Sequence, residues 1–299
     1  MLSLHKPVLL REVIEYLDPK HGQNFIDCTY GGGGHTNAIL GKTEPDGKML
    51  AIDANPNTQI TNYKSRVILV NDNFRNLKKI YEQFFPCAVS GILCDLGLSS
   101  IELDEEPRGF SFKRDEPLDM RFNPEANELT AAEILNKFSQ EKLIRTFKDF
   151  GEVPRAFAMN VSERIVRSRR KKKFETTFDL VDIILDGRSA KGGRNRAGRG
   201  IHPATLFFQA LRIAVNHELD ALIEFLPQAV EILKPCGKLV IISFHSLEDR
   251  IVKHYFKEIS KNDEAQVKLL TKKPVMASQQ EVKDNPRARS GKMRVVEKL

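Results

Sequence analysis

The sequence predicts an α/β fold in which a doubly wound, Rossmann-like sheet carries an inserted, mostly helical second domain. Three observations predict it. Strand and helix signals alternate through about the first hundred residues. A glycine-rich turn and acidic residues follow the strand signals. From about residue 106 to residue 202 prolines, helical patches and basic residues replace the alternation, and another strand signal follows later.

Short apolar and β-branched runs that end at polar or turn residues predict the strands. In chain order they are Asn24–Asp27, Lys48–Asp53, Val67–Asn71, Val89–Leu96 and Lys238–Ser243. Helices are predicted between them at Thr36–Leu40, Phe74–Phe84 and Pro203–Leu233. Two runs near the end, Val267–Leu270 and Met293–Val296, are predicted to pair as an antiparallel edge.

The interruption divides the chain into a sheet domain and an insertion. Residues 1–105 and 203–299 are expected to form the two parts of the sheet domain, and residues 106–202 the inserted domain. Within the insertion, Thr130–Phe138 and Gln140–Phe150 have helical patterns, and a basic region follows. The sequence does not determine the oligomeric state, and a homodimer is one possibility.

Composition excludes several classes of protein. Hydrophobic residues make up 41% and charged residues 29%, which predicts a folded globular protein. The four cysteines form no CxxC pair, so we expect reduced thiols and neither a metal site nor a disulfide framework. No apolar run approaches the roughly 20 residues that span a bilayer, and no signal-peptide core is present. We therefore expect a cytoplasmic protein.

The positive charge is confined to one segment. Residues 164–200 contain twelve Lys or Arg and four acidic residues, although the net charge of the chain is only +7. Clustered cations displace counterions from a polyanion, so the segment indicates phosphate contact, with a solvated loop as the alternative. The candidate contacts are Arg169, Arg170, Lys171, Lys172, Lys173, Arg194, Arg196 and Arg199.

A nucleoside-containing cofactor is predicted at the first strand. Four glycines, 31–34, follow Asp27, and Asp53 ends the next strand, where a carboxylate can bind ribose hydroxyls. A dinucleotide site needs a third glycine, whose place Thr36 occupies. The pattern therefore favours S-adenosylmethionine, which has no diphosphate. Phe74 is placed to cover the adenine ring or, alternatively, to join the core.

Specific motifs then accumulate. They are Cys94–Ser100 (CDLGLSS), Arg108–Phe112 (RGFSF), Leu118–Arg121 (LDMR), His202–Thr205 (HPAT), Phe208–Ile213 (FQALRI) and Ile242–Lys253 (ISFHSLEDRIVK). In this order they resemble the bacterial 16S ribosomal RNA (cytosine-N4)-methyltransferase family, which modifies a cytidine in the decoding centre. The likeness runs from residue 5 almost to the C-terminus.

The resemblance implies a class I methyltransferase sheet, an inserted substrate-recognition domain and a set of site residues. It places Gly33, Gly34, His35, Asp53, Phe74 and Asp95 around S-adenosylmethionine. Glu102 stands where the family usually has Gln, and a carboxylate accepts hydrogen bonds but does not donate them.

The implied reaction assigns roles to further residues. Asp95 is the first candidate to accept the cytosine amine proton and Asp119 the second, while His245 either shuttles protons or holds its loop by hydrogen bonds. Arg121 and Arg250 are candidates for RNA phosphate contacts or internal ion pairs. An aromatic platform for the base is expected from Phe110, Phe112 or Phe244.

The implied partner is 16S ribosomal RNA, within the small ribosomal subunit. Two alternatives stay open at this point. The chain could be an amino methyltransferase that acts on DNA or protein, or a non-catalytic RNA-binding assembly factor.

Overall fold

The computed structural model describes residues 6–60, 62–63, 65–98, 107–189, 202–261 and 264–299. Its strands are β1 (Asn24–Asp27), β2 (Met49–Asp53), β3 (Val67–Asn71), β4 (Val89–Asp95), β5 (Leu233–Ser243), β6 (Val267–Leu269), β7 (Val275–Met276) and β8 (Lys292–Lys298). Its α-helices are α1 (Leu10–Leu17), α2 (Gly34–Lys42), α3 (Leu77–Phe84), α4 (Ala131–Lys137), α5 (Gln140–Gly151), α6 (Arg155–Ser168), α7 (Thr177–Ser189), α8 (Ala204–Asn216), α9 (Glu218–Ile232), α10 (Ser246–Ile259) and α11 (Gln279–Asp284). Short 3-10 helices cover Phe74–Asn76 and Pro286–Ser290.

The chain forms two compact units. The first comprises Met1–Ser100 and Leu219–Leu299, and the second comprises Ile101–Glu218. The sheet belongs to the first unit and runs in the order β3-β2-β1-β4-β5-β8-β6, with β7 also paired to β8. Strands β1 to β5 are parallel, and β8 is antiparallel to β5 and β6. The predicted α/β class and the antiparallel edge are both confirmed.

Both faces of the sheet are covered because its strand residues are apolar on both sides. Ile26, Leu50 and Ile92 point into a cluster that includes side chains of α3, α9 and α10. Their neighbours Phe25 and Met49 point to the opposite face, where α1 and α2 pack. The strand order reverses at β1, which lies between β2 and β4, and such a switch point leaves a crevice at the carboxyl ends of the strands.

The second unit is built from α4 to α8. Helix α5 packs against α6 and α8, and α6 packs against α7. Gly151, at the end of α5, permits the approach to α8, since a Cβ there would lie 2.4 Å from the carbonyl oxygen of Leu206. Helix α8 therefore belongs to this unit, whereas everything after residue 202 was predicted to belong to the sheet domain.

Two further differences from the expected elements have local causes. The predicted helix Pro203–Leu233 is two helices, because His217 adopts a left-handed conformation (φ 51°) that ends α8 before α9 begins. Strand β5 begins five residues earlier than expected, at Leu233, and its pairing with β4 shifts register between Val89 and Gly91. Within the described ranges, no helix is long and apolar enough to cross a membrane.

Candidate active site

Three carboxylates mark the carboxyl edge of the sheet. Asp27, Asp53 and Asp95 are the last residues of β1, β2 and β4, which are adjacent parallel strands. Parallel neighbours end at the same edge, so the sequence spacing places these acids around the switch point. The predicted Asp53 and Asp95 thus lie on the two sides of β1.

The glycine loop between β1 and α2 is too tightly packed for side chains. Gly33 has a φ of 74°, and a Cβ there would lie 2.6 Å from the hydroxyl oxygen of Tyr30. A Cβ on Gly34 would lie 2.6 Å from Cγ of Pro7. The backbone amide of Gly31 donates to Oδ2 of Asp53 at 2.7 Å. The loop therefore presents bare backbone beside the Asp53 carboxylate, where a ligand can approach closely.

Asp53 is held by backbone amides on both oxygens. Besides Gly31, the amide of Asn55 donates to its Oδ1 at 2.8 Å. A carboxylate oxygen can accept more than one hydrogen bond, and a carboxylate at this position suits ribose hydroxyls. Phe74 begins the 3-10 helix after β3 and packs edge-on against Phe225, with ring centroids 5.3 Å apart. It is half-buried, so part of the ring remains available to a ligand.

His35 and Asp95 bring unsatisfied polar atoms together. Nε2 of His35 lies 3.5 Å from Oδ2 of Asp95, and both side chains are largely buried. Among the described residues, neither ring nitrogen of His35 forms a hydrogen bond, and Oδ1 of Asp95 accepts none. A buried polar atom without a partner costs about 1–3 kcal/mol, so these atoms fit a site that a polar ligand completes.

Asp27 joins the site although it was not among the predicted site residues. It is 1% exposed, and its Oδ2 accepts from the hydroxyl of Thr36 at 2.7 Å. Its Oδ1 accepts from the amide of Thr29 at 3.2 Å, and the Thr29 hydroxyl accepts from the amide of Asp95 at 2.7 Å. Burial raises the pKa of the Asp27 carboxyl, while the charge of His35 opposes that rise.

This network explains the missing third glycine. Thr36 is completely buried, and its hydroxyl satisfies the Asp27 carboxylate from the first turn of α2. The network therefore links the end of β1, the start of α2 and the end of β4. Its signal was present in the sequence as an acid at a strand end followed by glycines.

Asp119 and Arg121 lie in the second unit and bind each other. Arg121 donates from Nε to Oδ1 of Asp119 at 2.8 Å and from Nη2 to Oδ2 at 2.6 Å, and its Nη1 donates to the carbonyls of Pro124 and Asn127. Burial alone would raise the pKa of Asp119, but the hydrogen bonds and charge of Arg121 outweigh it and lower that pKa. These contacts favour a structural role over the predicted proton acceptance by Asp119 and RNA contact by Arg121.

His245 caps a helix. Its Nδ1 accepts from the amide of Glu248 at 3.4 Å at the start of α10, and the Glu248 carboxylate accepts from the amides of Phe244 and His245. Nε2 of His245 lies 3.1 Å from Oε1 of the same glutamate. Of the two predicted roles, this geometry favours the one that holds the loop. Arg250 is exposed on α10.

Those predicted basic contacts between residues 169 and 173 fall into three groups. Arg169 donates to the carbonyls of Leu135 and Phe138, so its guanidinium serves the fold. Lys172 pairs with Asp179 at 2.7 Å. Arg170, Lys171 and Lys173 are exposed and have no ion-pair partner in the part of the chain that the structure describes. Glu102, Arg194, Arg196 and Arg199 lie outside the described residues.

The three aromatic candidates have different surroundings. Phe110 is buried and stacks on Phe122, and Phe244 covers Gly97, where a Cβ would lie 3.3 Å from its ring. Phe112 is half-buried and stacks on His202. Of the three, Phe112 is therefore the one whose ring partner is an exposed side chain.

Comparison with known proteins identifies the family. The MraW methylase family, whose members use S-adenosylmethionine, matches residues 2–299. Ribosomal RNA small subunit methyltransferase H of Thermomicrobium roseum is 43% identical over 316 residues, covering 99% of this chain and 94% of that protein. The protein of the same name from Heliobacterium modesticaldum is 42% identical over 319 residues, and the alignment covers 100% of both chains.

A third relative of that name, from Dehalococcoides mccartyi, is 44% identical over 315 residues, covering 99% of this chain and 86% of that protein. The predicted resemblance and the predicted cofactor are confirmed. With its switch-point carboxylates and glycine loop, and with a family match over nearly its whole length, the chain belongs to the MraW methylase family.

Proposed function

We propose that the chain transfers the methyl group of S-adenosylmethionine to the N4 amine of a cytidine in the decoding centre of 16S ribosomal RNA. The observation that carries the methyl-transfer part of the proposal is the buried, unsatisfied Oδ1 of Asp95 beside His35, at the switch point of a methylase sheet. The choice of cytosine N4 rests on the sequence motifs. The relatives are named as methyltransferases of small-subunit ribosomal RNA, which supports the class of substrate.

The residues around the switch point fit the cofactor. Asp53 would accept from the ribose hydroxyls, Gly33 and Gly34 would allow close approach of the backbone, and Phe74 would lie against the adenine ring. His35 and Asp95 would complete the pocket with their unsatisfied atoms. When bound, S-adenosylmethionine supplies an electrophilic methyl group on a sulfonium sulfur.

Asp95 is the residue we assign to the chemistry. The lone pair of a cytosine amine is delocalised into its ring, so the enzyme must orient the amine and stabilise the charge that develops on it. The Asp95 carboxylate would accept a hydrogen bond from N4. As the N4–carbon bond forms and the sulfur–carbon bond breaks, Oδ1 would take the proton that N4 releases. Asp119 is less suited because Arg121 occupies both of its oxygens.

The second unit is assigned to RNA recognition. Arg170, Lys171 and Lys173 are exposed cations after α6, and cations of this kind bind phosphates without reading sequence. A base that is modified at its amine must leave its stack, which is easiest in a single-stranded region of a folded RNA. We infer that the substrate is 16S ribosomal RNA within the small subunit and that the protein acts in the cytoplasm.

Labelled methyl transfer tests the proposal. The purified chain and S-adenosylmethionine with a labelled methyl group are incubated with naked 16S RNA, small subunits, DNA or protein, and the labelled nucleoside is identified by mass spectrometry. We expect N4-methylcytidine from 16S RNA or small subunits alone. Label in DNA or protein favours an enzyme with that substrate, and RNA binding without label favours an assembly factor.

A variant pair tests the assigned residue. Asp95→Asn keeps the size of the side chain but removes the proton acceptor, so kcat is expected to fall by about 100-fold or more. The control is Glu224→Gln, which changes a surface carboxylate that pairs with Arg75. If the Asp95→Asn enzyme keeps the kcat of the control, another group accepts the proton.

Thermal stabilisation by S-adenosylmethionine and not by NAD checks the cofactor independently.

A further inference from the structure

Two aromatic rings of the second unit form a stacked pair. The rings of Phe112 and His202 lie 4.8 Å apart with an interplanar angle of 25°. The Phe112 ring packs edge-on against Phe208, 5.2 Å away, and Phe208 is only 4% exposed. Phe112 thus anchors the pair to the core of the unit, and we call Phe112 and His202 the aromatic pair.

Hydrogen bonds fix the His202 ring. Its Nδ1 accepts from the backbone amide of Ala204 at 3.3 Å, and its carbonyl accepts from the amide of Thr205 at 3.0 Å. Because Nδ1 is an acceptor, the neutral ring carries its proton on Nε2. His202 is exposed although Phe112 covers one face of its ring. The exposed surface of His202 therefore lies outside the face that Phe112 covers.

A flat ring that is held at the surface, with one face covered and one donor on its edge, is suited to stack against another flat polar ring. Unpaired RNA bases stack on aromatic side chains, including histidine, and form hydrogen bonds along their edges. Since the ring is already ordered by its contacts, binding costs little additional side-chain entropy.

The charges near the aromatic pair favour nucleic acid over an apolar protein partner. Lys113, directly after Phe112, is exposed, and Arg114 beside it has a side chain that is 61% exposed. A base brings its own phosphates, so cations beside a stacking surface match this partner.

We propose that the aromatic pair is a stacking platform for one unpaired base of the RNA substrate. The inference rests on the proposed function and adds a specific recognition contact to it. The outer face of His202 stacks on the base, and its Nε2–H donates to an oxygen or nitrogen acceptor on the edge of the base. The platform contributes to RNA affinity without forming a phosphate contact.

Fluorescence and affinity measurements test this. In a 16S RNA fragment, 2-aminopurine replaces in turn each unpaired base near the methylated cytidine, and stacking on the ring should quench its fluorescence at one position. His202→Ala is expected to abolish that quenching and weaken RNA binding by about 5- to 100-fold. The dependence of the affinity on salt concentration should not change, because no phosphate contact is lost.

Two variants sharpen the interpretation. His202→Phe keeps the stacking face and loses the edge donor, so it should restore the quenching and most of the affinity. Phe84→Ala, which removes an exposed phenylalanine of the first unit, should behave as wild type. The affinity of each variant for S-adenosylmethionine, measured by calorimetry, should equal that of wild type if the fold is intact.

The outcomes separate this inference from the proposed function. If wild-type enzyme methylates 16S RNA but His202→Ala binds that RNA with unchanged affinity, or no position is quenched by wild type, the platform alone is refuted. A His202→Ala defect that comes with a reduced salt dependence would also refute it, because that result indicates a phosphate contact. If wild type neither binds nor methylates 16S RNA, the proposed function fails and the platform fails with it.

Discussion

Replacing Thr36 with valine tests the network that joins the glycine loop to Asp95. The substitution keeps the shape of the side chain but removes the hydroxyl that donates to Oδ2 of Asp27 at 2.7 Å, inside the protein. A hydrogen bond to a charged group contributes about 1.5–3 kcal/mol, so the free energy of unfolding should fall by about 2 kcal/mol at neutral pH. Thr36→Ser keeps the hydroxyl and should lose only about 1 kcal/mol for the missing methyl group.

The pH dependence makes this test specific. Burial raises the pKa of Asp27 in the folded state, so ionisation of this group lowers stability as pH rises from its unfolded pKa, about 3.9, through its folded pKa. Thr36→Val removes a donor to the charged form and raises the folded pKa further. The stability deficit of this variant should therefore grow as pH rises from the folded pKa of wild type to the higher folded pKa of the variant, and level off above it.

Urea unfolding followed by circular dichroism between pH 4 and 8 measures these differences, and Asp27→Asn provides the reference in a double-mutant cycle. In the Asp27→Asn background, the valine substitution should lose most of its pH dependence, since no charged form remains. A Thr36→Val enzyme that is as stable as Thr36→Ser at every pH would refute the account of this network.

Three further predictions follow from the described contacts. Thr29→Val removes the acceptor for the backbone amide of Asp95 at the end of β4 and should lower kcat by about 10- to 100-fold. Thr29→Ser keeps the hydroxyl and should keep the wild-type kcat, so equal rates for the two variants would contradict the positioning role. Gly33→Ala should reduce S-adenosylmethionine affinity at least about tenfold in calorimetry, whereas Gly22→Ala, which has a similar positive φ but open space around it, should only lose about 1 kcal/mol of stability. Asp119→Asn should lower the free energy of unfolding, measured in urea, by about 1–3 kcal/mol at neutral pH. Because Arg121 lowers the pKa of Asp119, this deficit should shrink as pH falls through that pKa, and a deficit that is constant with pH would contradict the ion pair.

The sheet could be predicted because its strands carry strong local signals. The runs at Asn24–Asp27 and Val67–Asn71 are apolar segments that end at a polar residue, and the structure has both strands at the predicted bounds. The break at His217 could not be predicted, because a histidine in the left-handed conformation leaves no mark in a helical pattern. The placement of α8 depends on the approach that Gly151 allows, which is a tertiary contact.

The candidate site could be predicted where an acidic residue lies at the end of a strand, because that residue type and position together indicate a ligand-binding role. Asp53 and Asp95 could be predicted from their positions at the ends of β2 and β4. The pairing of Asp119 with Arg121 could not be predicted, because a separation of two residues in the sequence does not show that their side chains form a bidentate ion pair. The role of Thr36 required the structure, since its hydroxyl matters only once α2 brings it to Asp27. Conversely, the choice of cytosine N4 rests on motifs and not on geometry.

We propose that this chain methylates one cytidine of small-subunit ribosomal RNA at N4. Mass spectrometry of that RNA, isolated from cells that lack the protein and from the same cells supplied with wild type or Asp95→Asn, tests it most directly. We predict that one decoding-centre cytidine loses a methyl group without the protein and regains it with wild type but not with the variant. An RNA whose methylation is unchanged in cells that lack the protein would contradict the claim.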